Sequence, residues 1–405
     1  MNYYRELRVY GVNIAKRRNM IQFVTGVGCK GGCDFCAITA KYGNTRFVPF
    51  IQSGEEFLRL CEEGERRFNA VSFSIMDDNF PKNFPMIRDL LPLMEARGKT
   101  YRFFMFASAD SLVKLGVDFL VRFGAETILM GVESMSHIYA KVKGIDVPAL
   151  IADLRDNGIG ITTSSILFME HHTKDVLRQE IDWIMSLDTE THFIGVFTPY
   201  LGTCAYEDYV ARGLIPATPD HRLFTGIDLA INHPHFTREE ADAIQRATYV
   251  RKYREGGPAA LARASTVIRG YRRARNGFRE REREGQCWNP ETLRYEKTEN
   301  PRPDTYMKLR LEEMRNRARM TRPVLWTCWL YAPSPAVRAK ARETMALYRE
   351  EFGRISLKDT ILSLGILTLA TVESIKMKLK VWLGKDYGLL QPKPGRYTYP
   401  AGKRS

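Results

Sequence analysis

The sequence predicts an α/β fold built on a parallel sheet. Three observations carry that reading. Six short apolar runs of strand character recur between about residues 20 and 215. A segment with helical spacing separates most neighbouring runs, and turn residues punctuate the joins. Right-handed crossovers between such strands curl the sheet into a closed or open barrel, here a partial (β/α)6 TIM-like barrel, followed by a mainly helical C-terminal region.

The elements follow in order. Met20 to Thr25 is the first strand, and Glu55 to Phe68 is an amphipathic helix. Ala70 to Met76 is the second strand, followed by a helix from Met86 to Ala96. Tyr101 to Phe106 is the third, followed by a helical segment from Ser111 to Phe123. Thr127 to Gly131 is the fourth, followed by a helix from Val147 to Asn157 that Gly158 ends. Gly160 to Phe168 is the fifth, followed by a helix from Lys174 to Leu187, and His192 to Phe197 is the sixth. The predicted organisation is a lead-in over 1–19, a core barrel over 20–215, a helical extension over 216–284 and a helical region over 285–405. Thr237, with Glu240 three residues later, makes a capping box that opens a long helix reaching about Arg283. Its arginine-rich end, with glutamates interleaved, is expected to be a solvated face. Residues 285–305 read as a linker or surface loop, and Tyr306 to Met320 as a further helix. Ser356 to Leu383 is an apolar helix with Lys376, Lys378, Lys380 and Lys385 alongside. Both an interfacial membrane anchor and a core-packing helix fit that pattern. The tail from Gln391 reads as disordered.

The composition is that of a folded protein: 405 residues, 44% hydrophobic and 27% charged, with Lys and Arg totalling 61 against 47 Asp and Glu, a formal net charge of +14. The amino terminus has no apolar core of signal-peptide length, so a cytoplasmic location is expected. The uncharged apolar stretch from Thr360 to Val372 has 13 residues, short of the about 20 a spanning helix needs. The seven cysteines are odd in number, and Cys61, Cys204, Cys287 and Cys328 are scattered, which argues against a disulfide framework.

The other three are concentrated. Gly26 to Cys36 places Cys29, Cys33 and Cys36 within eight residues, directly after the first strand, among four glycines that let the chain fold tightly. Thiolates at this density select zinc or an iron–sulfur cluster, and no nearby Cys or His pair completes a structural zinc site. The Cys-x3-Cys-x2-Cys spacing, with Phe35 before the third cysteine, resembles the radical S-adenosylmethionine (SAM) superfamily. The resemblance implies a [4Fe-4S] cluster on Cys29, Cys33 and Cys36, with SAM bound to the fourth iron and cleaved to a 5′-deoxyadenosyl radical.

Chemistry in parallel β/α folds sits at the carboxyl ends of the strands. The resemblance assigns SAM contacts there. Strand two ends in Asp77-Asp78-Asn79-Phe80, where Asp78 and then Asp77 are expected near the SAM amino group. At the end of strand three Ser108 is expected to face SAM, while Asp110 reads as a helix N-cap. Strand four ends in Gly131-Val132-Glu133-Ser134, similar to the Gly-x-Glu-Ser element of cobalamin-associated relatives, and Glu133 is expected to accept hydrogen bonds from SAM. Ser164 on strand five, and Thr198 and Pro199 after strand six, complete the expected set. Phe168 stands where relatives have glycine, and His171-His172 reads as an exposed loop pair.

The resemblance implies an enzyme acting on a carbon centre of a hydrophobic, lipid-like or natural-product substrate, by hydrogen abstraction or by methylation or ring remodelling. It also implies a flavodoxin- or ferredoxin-type electron donor. Cobalamin is a possible further cofactor, although only about 20 residues precede the barrel and no cobalamin domain is visible in them. The positive charge points to an anionic membrane surface or an acidic partner, with an RNA-modifying enzyme as the alternative. A zinc-containing nucleic-acid-binding module is the non-enzymatic alternative.

Overall fold

Six strands lie side by side in chain order, every neighbouring pair parallel: β1 (Met20–Phe23), β2 (Ser72–Ile75), β3 (Arg102–Ala107), β4 (Ala125–Glu133), β5 (Gly160–Leu167) and β6 (Thr191–Val196). The computed structural model describes residues 20–43, 47–136, 139, 141–353 and 357–382, with two short strands, Arg8–Val9 and Val12–Asn13, at the amino terminus. Sequential order with helical crossovers is the topology of a partial (β/α)6 barrel.

The period-2 pattern sets the two faces of the sheet. In β4, Ile128, Met130 and Val132 are fully buried, whereas Thr127, Leu129 and Gly131 are half-buried. The helices of this region are, in chain order, α1 (Ala37–Tyr42), which buries no residue, α2 (Gly54–Phe68), α3 (Phe84–Ala96), α4 (Ala109–Leu115), α5 (Val117–Phe123), α6 (Val147–Asp156), α7 (Lys174–Ser186) and α8 (Cys204–Ala211), and α4 to α7 contact the sheet. Aromatic rings fill much of this core: Phe23 stacks on Phe73 at 5.5 Å and Phe103 on Phe123 at 4.6 Å. Local signals set the helix ends. The Ser53 hydroxyl accepts from Glu56 N–H at 3.2 Å to start α2, and Asn69, in the left-handed region at φ 53°, ends it. The segment expected as one helix from Ser111 to Phe123 is two, because Gly116 at φ 77° interrupts it.

Beyond the sheet, α9 (Arg238–Gly256) opens with the expected capping box, and Gly257-Pro258 separates it from α10 (Ala259–Glu284). The expectation of a solvated arginine face holds at the end of α10, where Arg279 and Arg283 are exposed, and is corrected for the earlier turns. Leu261, Ala264, Val267 and Ile268 of α10 are buried, and its arginines pair with carboxylates of neighbouring elements: Arg263 with Glu126 at 2.9 Å, Arg269 with Asp156 at 2.7 Å and Arg272 with Glu350 at 2.8 Å. At the crossing of α10 over the entry to β5, backbone meets backbone. A Cβ on Gly270 would lie 2.7 Å from the carbonyl carbon of Asn157, closer than real contacts allow.

The segment 285–305 is also more ordered than a linker. It holds a hairpin of β7 (Gln286–Asn289) and β8 (Arg294–Lys297), with Trp288 against Tyr295 at 5.2 Å and the Arg281 guanidinium 4.0 Å over the Tyr295 ring. The helix α11 (Thr305–Arg319) docks on the sheet through the fully buried Arg310. Its guanidinium donates to the carbonyls of Thr100 at 3.1 Å, Tyr101 at 3.0 Å and Phe123 at 3.3 Å. Two helices were not anticipated, α12 (Arg322–Leu330) and α13 (Pro335–Phe352), although Ser334 followed by proline is an ordinary helix start. The apolar helix is α14 (Leu357–Trp382), which lies along α12. The tail from Gln391 lies outside the described residues.

Two predictions follow from this packing. Gly270→Ala is expected to destabilise the chain by about 1–3 kcal/mol through overpacking. Gly365→Ala in α14, whose Cβ would meet nothing within 4 Å, is expected to be neutral or stabilising, and urea midpoints compare the two. The second concerns Glu126 at the foot of β4. Burial raises its pKa, but Arg102, Arg317 and Arg263 outweigh burial and hold it at about 2, against an ordinary 4.5. A carboxylate depressed in the folded state stabilises above its unfolded pKa, so this contribution is lost as pH falls from about 4.5 through about 2. The Glu126→Gln variant is expected to be less stable at neutral pH and to lose less than the native chain across that acid window, read by unfolding midpoints.

Candidate active site

The cysteine loop leaves β1 at its carboxyl end. Its entry is held by Asp77, which follows β2. One carboxylate oxygen of Asp77 accepts from Thr25 N–H at 2.6 Å and Gly26 N–H at 3.4 Å; the other accepts from the Thr25 hydroxyl. Register explains the meeting. Phe23 pairs with Ile75, so two residues further on Thr25 stands beside Asp77. Asp77 is 1% exposed, and burial raises its carboxyl above the usual range against these hydrogen bonds. The expectation that Asp77 contacts SAM is therefore corrected: both its oxygens are committed to the backbone and side chain that launch the loop. Asp78 is exposed and accepts from Gly28 N–H at 3.0 Å, further along the same loop.

Within the loop, Gly28 (φ 99°) and Gly32 (φ 65°) take left-handed turns. Cys36 N–H donates to Cys33 O at 3.2 Å, and Cys36 occupies the N-cap of α1. A Cβ on Gly31 would lie 3.3 Å from Cys29 Sγ and 3.9 Å from Cys33 Sγ, so the missing side chain leaves two thiols facing one space. All three thiols are half-buried. Among the described residues no three His, Cys, Asp or Glu side chains are grouped to hold one metal ion. A cuboidal cluster asks for a wider set, each thiolate binding a different iron. The donors, the glycine cradle and the surrounding charge fit such a cluster. Burial pushes the Cys33 thiol up to about 11, with Lys141 pulling the other way.

Lys141 and Glu133 form the charged wall beside the thiols. Glu133 is buried, sits at φ 57° where the β4–β5 register shifts, and is ion-paired with Lys141. Gly131 makes room for the pair: a Cβ there would stand 3.0 Å from Lys141 Nζ. Burial opposes the charge on Lys141, but Glu133 and Cys33 hold its amine above the ordinary range. Ser134 turns away from the site, donating to Glu180 of α7 at 2.8 Å. Phe35 packs edge to face with Tyr139, centroids 5.0 Å apart.

The other expected residues divide. Ser108 is buried, at the N-cap of α4, with Asn79 Nδ2 donating to its hydroxyl at 2.9 Å. Asn79 also directs that amide to Cys29 Sγ at 4.0 Å. Asp110 is not the N-cap; it lies in the first turn and pairs with Lys82. Ser164 lies on the open face of the sheet between Gly131 and Phe193, whereas Thr163 and Ser165 bond His192 on the buried face. The Thr198 hydroxyl donates to Val196 O at 3.1 Å and Pro199 is buried; both shape the turn after β6. That turn reaches the cysteine loop, since Ala205 N–H donates to Asp34 O at 3.3 Å. Phe168 adopts φ 60°, the left-handed conformation a glycine takes easily, with its buried ring against Phe236 at 5.2 Å. The exposed-pair reading of His171-His172 holds for His171 only. His172 is fully buried, accepts from Met169 N–H at 3.2 Å and is held neutral by burial, its pKa lowered to about 3. Lys141 was missed: it lies in an irregular segment with no periodic signal. Thr25 was also missed, although sheet order alone pairs it with Asp77.

A parallel β/α barrel with a three-thiol loop at the head of its first strand, and a carboxylate–ammonium pair beside it, offers a site whose donors suit an iron–sulfur cluster. Residues 23–184, about two fifths of the chain, match the radical SAM superfamily. Among curated proteins it is 23% identical over 235 residues to an uncharacterized methyltransferase of Pyrococcus horikoshii, covering 57% of this chain and 50% of that protein. It is 24% identical over 208 residues to the bacteriochlorophyllide d C-12(1)-methyltransferase of Chlorobaculum tepidum, covering 49% and 44%. The chain thus spans about half the length of these relatives. Among solved structures it is similar to the radical SAM methyltransferase TsrM of Kitasatospora setae with cobalamin and a [4Fe-4S] cluster bound, at 16% identity and a TM-score of 0.42, covering 51% of this chain and 42% of that one.

Asp77→Asn keeps an acceptor for the Thr25 and Gly26 N–H groups and is expected to cost less than about 1 kcal/mol, whereas Asp77→Ala strands buried donors and is expected to cost about 2–4 kcal/mol. Chemical unfolding of the two variants checks the ranking; equal costs would refute the clamp.

Proposed function

We propose that this chain is a radical SAM enzyme of the cobalamin-associated branch, and that it transfers a methyl group to, or abstracts hydrogen from, a carbon centre of a hydrophobic substrate. The observation that carries this is the junction of the three-thiol loop with the Glu133–Lys141 pair at the carboxyl ends of β1 and β4. The methyltransferase names of the curated relatives favour methyl transfer. The apolar character of the substrate rests on the open face of the sheet toward the carboxyl ends, where Met76 and Phe193 are exposed and Phe106 is half-buried. RNA as substrate is disfavoured, because many arginines of α10 are paired within the molecule.

Cys29, Cys33 and Cys36 would hold the cluster. When bound, cluster and SAM together supply a one-electron reductive cleavage of the sulfonium and so a carbon radical. The remaining work falls to the chain. Lys141 offsets negative charge gathered at the thiolates. Glu133 offers a carboxylate acceptor to hydroxyl or ammonium protons of SAM, and Asp78 offers another from the loop side. Asn79 orients an N–H toward Cys29. The apolar open face keeps water from the radical. A flavodoxin- or ferredoxin-type protein is the proposed electron donor, and cobalamin the proposed methyl carrier.

Anaerobic reconstitution with iron and sulfide, followed by dithionite and SAM, tests the reading. The native chain is expected to bind four irons and release 5′-deoxyadenosine. Cys33→Ala is expected to lose the cluster absorbance and at least ~100-fold of SAM cleavage, as removal of a metal ligand does. Added hydroxocobalamin and candidate substrates separate the two chemistries: methyl transfer yields S-adenosylhomocysteine as well, hydrogen abstraction does not. A native chain that forms no four-iron cluster would remove the proposal.

A further inference from the structure

We propose that α14 is a docking surface for an anionic phospholipid membrane, lying flat in the headgroup region. The observation is independent of the catalytic reading. One side of this helix is used by the protein. Ser363 is fully buried, the Tyr331 hydroxyl donates to Thr371 at 2.7 Å, and Leu367 faces Trp326 and Trp329 across a cavity of about 430 Å³. The other side carries Leu357, Ile361, Val372, Ile375 and Leu379 on one face, with Leu364 at its border beside the cavity and Thr368 between the two groups. All are exposed: Ile361 at 62%, Ile375 at 52% and Leu379 at 51%. An exposed apolar face of that length, interrupted at Thr368, is uncommon on a soluble surface unless something covers it.

Charge identifies what covers it. The carboxyl-terminal turns carry Lys376, Lys378 and Lys380 in sequence against Glu373, which pairs with Lys376 at 2.9 Å. Lys376 is well exposed. Apolar side chains flanked by lysine stems match a bilayer interface, where the stems reach back to lipid phosphates while the stripe enters the acyl boundary. A second copy of the chain fits less well. Stripe against stripe in parallel register would bring the lysine-rich ends together, and antiparallel pairing would offer them only Asp359 of the first turn. The helix lies on the membrane and does not cross it: among the described residues no helix is long and apolar enough to span.

Flotation of the full chain with vesicles tests the assignment. The protein is expected to float with phosphatidylcholine–phosphatidylserine vesicles at low salt, to be released in part by high salt, and to float poorly with phosphatidylcholine alone. The Ile361→Asp/Ile375→Asp variant alters only exposed positions. It is expected to keep the native unfolding midpoint and to lose at least ~10-fold of vesicle binding. Lys376→Glu/Lys380→Glu is expected to lose the preference for phosphatidylserine. The assignment is overturned if the native chain does not float with anionic vesicles, if it binds neutral vesicles equally, or if the double-aspartate variant floats unchanged. A dimer in sedimentation that these variants dissolve, without vesicle binding, gives the face to a second copy and also overturns it. SAM cleavage is not a readout here, so failure of this proposal leaves the catalytic one standing.

Discussion

The contact between Asp77 and Thr25 governs the site. A glycine-rich loop carrying three thiols has only the short ladder of Gly26–Val27 with Val48–Pro49, and among the described residues β1 has a partner strand on one side only. The first amides after β1 would therefore point into a buried space without acceptors, at a cost of about 1–3 kcal/mol each. Asp77 supplies the acceptors, and Thr25 is held from its other side as well, its carbonyl accepting from Phe50 N–H at 2.8 Å and Ile51 N–H at 3.1 Å. Thr25 thus joins the end of β1, the end of β2 and the return of the chain after α1. With those three fixed, Val27 pairs with Val48, and the cysteines are confined to the turn between.

The second constraint is backbone strain at the mouth. Glu133 and Phe168 both adopt left-handed φ, and both lie at the carboxyl ends of adjacent strands. Such a conformation costs of order 1 kcal/mol in a residue with a Cβ and persists where the surroundings over-determine it. For Glu133 the bulge between β4 and β5 turns the carboxylate to Lys141, where a regular strand would carry it on along the alternation of the sheet. For Phe168 the offset is burial of an aromatic ring against Phe236. The departure from glycine at this position thus keeps the backbone shape and changes what fills the space behind it.

All six strands were legible in the sequence because each is a short apolar run between turn signals, and the parallel order followed from the helices between them. The thiol loop was legible for the same reason, since spacing along the chain is enough to define it. The division of labour between Asp77 and Asp78 was not. Adjacent carboxylates look alike in sequence, and only the register of β1 against β2 tells which one is buried. Lys141 was illegible in a stronger sense, reaching the thiols from an irregular stretch after β4. The arginine-rich α10 misled because interleaved charge is the mark of a solvated helix. Here the acids that meet those arginines come from β4, α6 and α13, elements far away in sequence.

That pairing gives the molecule its polarity. At the amino ends of the strands, Glu126 gathers Arg102, Arg263 and Arg317, while Arg310 closes the carbonyls around Tyr101 and Phe123. Buried ionic networks add little net stability against apolar packing, but losing one member is expensive. They therefore fix how the C-terminal helices dock. The carboxyl ends keep a different inventory: thiols, the Glu133–Lys141 pair beside them and exposed apolar side chains. Of the +14 formal charge, the part on α10 is largely spent within the fold. In α14 the exposed Lys376 stands beside an exposed apolar stripe, and the proposed membrane surface rests on that combination more than on the total charge.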